Sequence, residues 1–288
     1  MKLALGTAQF GQAYGIANPQ PQIAYAESKA IIEYASGQGM NVLDTAIGYG
    51  DSESRLGVIG VEKWKVVTKI PEVPVGENVE IWITNVVKSS LLKLKIKSLY
   101  GLLLHRPNQL LGDRGREIYA SMERLKAEGL VEKTGVSIYQ PSELEGILSL
   151  GHVDLVQSPL SVLDRRLIIS GWLDRLADSG VEIHVRSVFL QGLLLMSAEQ
   201  RPRNFDRWNA LWDRYHEWVA SSGLTPLEAC LAYVSAIPQV NQVVVGVNGL
   251  SNIQEILQAR TGPSPDLNSD LSTNDEELLN PLAWLRLS

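Results

Sequence analysis

Short apolar runs that end on a glycine or a polar residue alternate along the chain with longer stretches in which apolar residues return every three or four positions. The runs are "LALGTA", "NVLDTA", "KVVTKI", "LYGLLLH", "KTGVSIY", "VDLVQSPL", "VEIHVRSV" and "QVVVGV". Most are apolar continuously and not at every second position, as strands are when both faces are covered. The stretches between them, such as "EIWITNVVKSSLLKL", "REIYASMERLKAEG", "PSELEGILSL" and "GWLDRLADSG", have helical period, and several close on the glycine that helix ends prefer. Strands alternating with helices predict parallel βα units, and eight such runs predict an α/β protein, a (β/α)8 TIM barrel.

No Pro/Gly/Ser linker divides the chain, so a single barrel domain over residues 1–288 is expected. The rhythm breaks after the seventh strand, where a loop and helix insertion runs from about 190 to 222, and a C-terminal tail follows from about 261 to 288. The first strand begins almost at once, which predicts no hairpin plugging the barrel floor. The tail, with Trp284, is assigned either to that floor or to the substrate mouth. Composition narrows the picture further: 45% hydrophobic and 20% charged residues are those of a globular chain with a sizeable core. A net charge of −6 without a long basic run argues against nucleic acid as a partner. Thr7 and Gln9 interrupt the first apolar run before a signal or a membrane span is complete, so a cytoplasmic protein with no membrane partner is expected, as a monomer or weak homodimer. The single cysteine, Cys230, sits in the apolar helical stretch "PLEACLAYV" and reads as a small buried hydrophobe. The four histidines are scattered without ligand spacing, so no metal is expected.

Barrels build their active sites at the C-terminal ends of the strands. Asp44 closes "NVLD", Lys69 follows "VVT", His105 follows "LLL", and Tyr49 lies in the glycine-flanked loop beyond Asp44. Each has an explanation without chemistry: Asp44 as a turn cap, Lys69 as a strand end, Tyr49 as a loop aromatic, His105 as a core histidine. Their convergence on one rim is what makes them a candidate site. A carboxylate entering the interior needs a partner, and Lys69 on the next strand is placed to be one. A cation beside a phenol favours the phenolate, so Lys69 is expected to lower the pKa of Tyr49 and make it a competent general acid. His105 would orient a carbonyl by a hydrogen bond, so the group suits protonation of an oxyanion as hydride arrives. No residue here supplies hydride, and a nicotinamide cofactor must bring it. After the last strand, "GVNGLSNIQEI" opens a helix whose free N–H groups form an anion site with Gly246, Asn248, Ser251 and Asn252 as candidates. A plain turn with Ser251 as helix cap is the alternative.

With "GTAQFG", "LDTAIGYGDSE", "VVTK", "LLLH", "GVS", "VQSPL", "RSVFLQGLL" and "VVVGVNGLSNIQEI" in this order, the chain resembles the aldo-keto reductase superfamily, and within it a bacterial subgroup carrying "SPLSVLDRR". The resemblance implies a catalytic tetrad of Asp44, Tyr49, Lys69 and His105, with NADPH as cofactor and NADH as the alternative. It implies that Ser137 and Gln157 hold the nicotinamide carboxamide, and that Gly6, Thr7 and Asp44 lie near its ribose. Ser187, Phe189, Gln191 and Gly192 would flank the pyrophosphate. Ile47, Arg106 and Trp284 are the expected substrate pocket, and Arg106 suits an anionic or polyhydroxylated carbonyl such as a sugar derivative. The expected reaction is reduction of a small-molecule aldehyde or ketone. The alternative is a nicotinamide-binding sensor or regulatory subunit without turnover, with a Schiff-base lyase using Lys69 ranked below both. Three positions depart from the family pattern: Gly249 where a basic residue pairs the 2′-phosphate, Ile138 after the Ser of "GVS", and Ile256 where an asparagine ends the last motif. Arg201 and Arg203 of the insertion are the candidates to replace the missing charge.

Overall fold

Parallel strands β1 (Leu3–Gly6), β2 (Val42–Asp44), β3 (Lys65–Ile70), β4 (Leu99–Leu104), β5 (Val131–Ser137), β6 (Leu155–Pro159), β7 (Glu182–Arg186) and β8 (Gln242–Gly246) follow one another around a closed barrel. Closure is by β8 against β1, in the register Leu3↔Val243 to Gly6↔Gly246. The computed structural model describes residues 3–16, 22–259 and 271–284. All eight predicted runs became strands, and the barrel expected from their rhythm is the one found.

The helices, in chain order, are α1 (Ala8–Gly11), α2 (Tyr25–Gly37), α3 (Ser52–Ile59), α4 (Val79–Leu94), α5 (Gly115–Ala127), α6 (Glu143–Leu148), α7 (Arg166–Ile169), α8 (Trp172–Asp178), α9 (Asn209–Ser222), α10 (Pro226–Ser235), α11 (Leu250–Ala259) and α12 (Glu276–Leu279). Their ends follow local chemistry. Asn78 accepts the Ile81 N–H at 3.0 Å and starts α4, and a reciprocal Thr225–Glu228 box with Pro226 in the first turn starts α10. Where α3 crosses α4, a Cβ on Gly57 would stand 1.9 Å from the Lys93 carbonyl oxygen, so only glycine permits that approach.

Successive strand residues point alternately to the helices and into the barrel. The outward set, including Leu43, Val66, Leu102, Val156, Ile183 and Val245, joins the large core beneath the helices. The inward set forms a separate small cluster of Ala4, Val42, Val67, Leu103 and Leu155 that fills the middle of the lumen. One layer down, the floor is polar. Tyr100 donates to Glu182 at 2.6 Å, Lys133 pairs with the same carboxylate, and His184 Nε2 meets its other oxygen at 2.7 Å. Burial alone would raise the Glu182 carboxyl, but hydrogen bonds from His184, Lys133 and Tyr100 overcome it and hold it at about 2. One layer up, two residues beyond the apolar cluster, come Asp44, Lys69, His105 and Gln157.

The described tail lies against the rim at the C-terminal ends of the strands and not the floor. Thr273 N–H donates to the Leu163 carbonyl at 2.9 Å, Gln140 bonds Glu276, and Trp284 packs edge-on to Phe205 of the insertion with ring centroids 5.2 Å apart. Residues 260–270 and 285–288 of the expected tail lie outside the described residues. Among the described residues, no helix is long and apolar enough to cross a membrane.

Gly135 in the middle of β5 marks the tightest contact between neighbouring strands, since a Cβ there would stand 1.8 Å from the Leu155 carbonyl oxygen. Gly135→Ala is therefore expected to destabilise the barrel by about 3 kcal/mol, the upper end of ordinary overpacking costs. Gly37→Ala, where nothing lies within 4 Å, is expected to be neutral or slightly stabilising. Midpoints of chemical denaturation for the two variants check both.

Candidate active site

Asp44 ends β2 and Lys69 lies one residue before the end of β3, and the strand alternation aims both into the top of the lumen. Lys69 Nζ donates to Asp44 Oδ2 at 2.7 Å and to the Thr45 carbonyl at 2.8 Å. Asp44 is 4% and Lys69 1% exposed, so the pair is almost wholly withdrawn from water. The other Asp44 oxygen is met from the far side of the barrel, where Gln157 Nε2 donates to Oδ1 at 2.6 Å. Ser137 in turn donates to Gln157 Oε1 at 3.1 Å. Every charge and dipole in this buried chain is answered, which is what a low-dielectric setting demands.

Tyr49 is held by backbone packing. A Cβ on Gly11 would stand 1.6 Å from the Tyr49 carbonyl oxygen, and Gly50, at φ +52°, would place one 2.2 Å from the Gly11 oxygen. The β1 and β2 loops therefore lie face to face, and only glycine fits on either side. Ser52 ties them further, donating to the Thr7 carbonyl at 3.0 Å, while the Thr7 hydroxyl donates to the Asp44 carbonyl at 3.0 Å. The result brings the Tyr49 ring 5.3 Å from Lys69 Nζ and edge-on to His105, with ring centroids 5.8 Å apart. All four rim residues singled out in the sequence meet at one place.

The electrostatics correct one expectation. Burial raises the Tyr49 phenol above its ordinary value near 10, the Asp44 charge raises it further, and Arg186 works in the opposite direction. The expected lowering by Lys69 does not prevail, because burial and the Asp44 carboxylate paired to that ammonium both drive the phenol upward. Tyr49 is a fully protonated donor at neutral pH. Burial likewise pushes His105 down, with Lys69 and Arg186 adding to the effect, to about 4, so its ring is neutral and offers one N–H. Burial lowers the Lys69 ammonium and Asp44 opposes that shift. Cys230 is inert by comparison: burial pushes its thiol up to about 12.

A cavity of about 490 Å³ opens from Asp44 and Tyr49 and runs between the β1, β7 and β8 loops. Gly6, Thr7, Gly246, Asn248 and Asn252 stand in its wall, as do Ser187, Phe189, Gln191 and Gly192 of the β7 loop. That loop is held in left-handed backbone at Ser187, Leu190 and Gln191, conformations that a non-glycine residue adopts at a cost. Successive amides in such turns form concave sites for anions. Ser137 and Gln157 are wholly buried outside the wall, and Ser251 is an exposed residue of α11 outside it too. Of the expected substrate residues, Ile47 is half-buried with its N–H bonded to the Lys69 carbonyl, and Arg106 is exposed with its guanidinium 5.5 Å from the centre of the Tyr139 ring. Trp284 is buried against Phe205 and takes no part in the wall. Arg201 is also buried, stacked 4.4 Å over Trp212 and bonded to His216, so it is not free to hold a phosphate.

The structure adds residues that the sequence reading passed over. Gln9 is in the wall, with its buried Oε1 unpartnered, and Tyr14 reaches across to Gln191 at 3.3 Å. Arg186, the last residue of β7, donates to the Ile138 carbonyl at 2.9 Å and stacks 4.8 Å over Tyr139. Its signal was present: two positions after the inward-facing His184, it had to face the lumen.

The wall fits a dinucleotide in size and in chemistry. A cavity of this volume is in the range of ligand clefts, the orphaned Gln9 oxygen needs a donor, and the β7 loop stores its strain where a phosphate would be cradled. The model of the Aldo/keto reductase family matches residues 2–266. The chain is 24% identical over 187 residues to an uncharacterized oxidoreductase, YqkF, of Bacillus subtilis, a match spanning 62% of this chain and 60% of that protein. In fold it is similar to an aldo-keto reductase of Bacillus halodurans in its holo form, with a TM-score of 0.73 at 20% identity over 94% of this chain and 89% of that one. It is similar also to a glycerol dehydrogenase of Gluconobacter oxydans, with a TM-score of 0.71 at 21% identity over 91% and 87% of the two chains.

Removing one member of the buried ion pair leaves the other uncompensated. Asp44→Asn is expected to cost about 3–5 kcal/mol of stability, whereas Asp44→Asn combined with Lys69→Met recovers most of it. A denaturation series over the two single variants and the double variant measures this. Additive losses would mean that the pair is not coupled.

Proposed function

The chain belongs to the aldo/keto reductase family, oxidoreductases that act on small-molecule carbonyls, and from that premise we propose that it reduces an aldehyde or ketone to the alcohol with Tyr49 as general acid. The observation that carries the reading is the meeting of Tyr49, Lys69, Asp44 and His105 at one place, with Asp44 and Tyr49 in the cavity wall. When bound, a reduced nicotinamide dinucleotide supplies the hydride that no side chain of this protein can. Gln9 and the β7 loop residues Ser187, Gln191 and Gly192 would hold it, with Asn248 and Asn252 at its far end.

The chain's own residues do the rest. His105, neutral across the physiological range, would donate its N–H to the carbonyl oxygen and fix its direction. Tyr49 would release its phenolic proton to that oxygen as negative charge develops, an alkoxide being a stronger base than a phenolate. The paired Lys69 would then face the new phenolate at short range, a charge that grows only as the reaction proceeds, which is where stabilisation accelerates a step. Asp44 and Gln157 keep Lys69 in place without taking part.

The mouth of the site also favours one kind of carbonyl. Arg186 and Arg106 both stand over the Tyr139 ring, and Arg186 bonds only neutral oxygens, those of Ile138 and Ser187, among the described residues. A guanidinium without a carboxylate partner beside a reaction centre suits a substrate carrying a carboxylate or phosphate. This supports a polar, anionic carbonyl such as a sugar acid over an apolar one.

Tyr49→Phe is expected to lower carbonyl turnover by at least about 100-fold, the usual worth of a positioned acid, with dinucleotide affinity unchanged. Turnover within a few-fold of the parent would remove Tyr49 from the role. For the substrate class, kcat/KM for 4-carboxybenzaldehyde is expected to exceed that for benzaldehyde by about tenfold or more, and Arg186→Gln to erase most of that ratio. A ratio near one in the parent protein would rule out the anionic preference while leaving the reductase intact.

A further inference from the structure

The cavity has two ends with opposite electrostatics. If the reading above holds, the nicotinamide must lie at the Tyr49 end, because that is where the proton donor is. The second nucleotide must then lie at the other end, against the start of α11, where the wall carries Asn248, Asn252, Glu255 and Ile256. The sequence marked the α11 terminus as an anion site by its free amides. In the folded chain two of the amides at this turn are already engaged. Leu250 N–H donates at 2.6 Å to Oε1 of Glu27, which comes from α2, 223 residues earlier, and Asn248 N–H is taken by Asn252 Oδ1 at 3.2 Å. Gly249 makes room for this arrangement, since a Cβ there would stand 3.2 Å from Glu27 Oε1.

We infer that this end of the cleft selects a dinucleotide whose adenosine ribose keeps a free 2′-hydroxyl, NADH over NADPH, and that Glu27 is the residue enforcing the choice. Glu27, which itself lies outside the cavity wall, holds a carboxylate on the Leu250 amide at the start of α11, between the wall residues Asn248 and Asn252 in the chain, and Glu255 places a carboxylate in the wall itself. Among the described residues, the single cation of the wall is Arg186, which sits at the Tyr49 end. A phosphate dianion entering here meets two like charges, or must displace Glu27 from the Leu250 amide. A ribose hydroxyl does neither, and can donate to the carboxylate in the manner that dinucleotide folds use to recognise the unphosphorylated cofactor. The family resemblance alone placed NADPH first, and the charges around α11 reverse that order.

The test is direct binding, followed by quenching of the seven tryptophans and by titration calorimetry, with NADH and NADPH as the two probes. The parent protein is expected to bind NADH at least about tenfold more tightly, a difference of the size that one like-charge contact produces. Glu27→Gln should shrink the ratio by at least about fivefold and Glu27→Lys should invert it, since a neutral or cationic side chain removes the repulsion. Glu33→Gln, which changes an exposed carboxylate on the same helix, should leave the ratio as it is. Equal or tighter binding of NADPH by the parent protein overturns the inference, as does an unchanged ratio in Glu27→Gln that retains the parent's circular dichroism and melting temperature. Failure of both dinucleotides to bind overturns the reductase reading and this inference with it.

Discussion

The Asp44–Lys69 pair is the constraint on which the rest of the site depends. Two opposite charges have been taken almost wholly out of water, a transfer that costs several kcal/mol per ion before their attraction is counted. The arrangement holds only because both carboxylate oxygens and two of the three ammonium donors have partners within the protein, namely Gln157 and the Thr45 carbonyl besides each other. Those partners come from β2, β3, β6 and the loop that carries Tyr49, so satisfying the pair also ties down the loop on which Tyr49 sits. The same pairing explains why the phenol stays protonated. Burial and the Asp44 charge together hold the proton on Tyr49.

The lumen is organised by one rule applied three times. Inward positions along the strands are polar at the floor, apolar in the middle and polar again at the rim: Lys65, Val67 and Lys69 on β3, and Glu182, His184 and Arg186 on β7 with a buried histidine in place of the apolar residue. The floor network of Tyr100, Lys133, Glu182 and His184 closes the barrel around the Glu182 carboxylate, both of whose oxygens are partnered. The apolar layer above separates it from the rim, so the upper charges interact with one another and with the cavity alone.

Along the cleft the charges are sorted by task. Arg186 stands in the wall at the Tyr49 end, with Arg106 behind it across the Tyr139 ring, and Glu255 stands in the wall at the end formed by α11, with Glu27 behind it on the Leu250 amide. A ligand that is long, with anionic groups at its centre and a neutral ribose at its tip, matches that distribution better than one with a phosphate at both places. The strained β7 loop lies between the two ends, where backbone amides and not side-chain cations would face the central phosphates.

Much of this was legible in the chain itself. Eight apolar runs in a helical rhythm determined the barrel, because each run has to be covered on both faces and only parallel strands joined by helices achieve that. The polar residues closing those runs determined the rim, since an Asp, Lys or His two positions beyond a lumen-facing Val or Leu has nowhere else to point. What the sequence could not contain was the outcome of contacts between distant segments. Glu27 reaches Leu250, Gln157 reaches Asp44, and the tail with Trp284 settles on Phe205 at the rim instead of under the floor. The direction of the Tyr49 shift belongs to the same class: pairwise reasoning from Lys69 pointed down, but burial and the neutralising carboxylate, which exist only once the barrel has closed, push it up. Local pattern determines which face a residue occupies; the charge that residue meets there depends on segments hundreds of positions away, and only tertiary structure decides it.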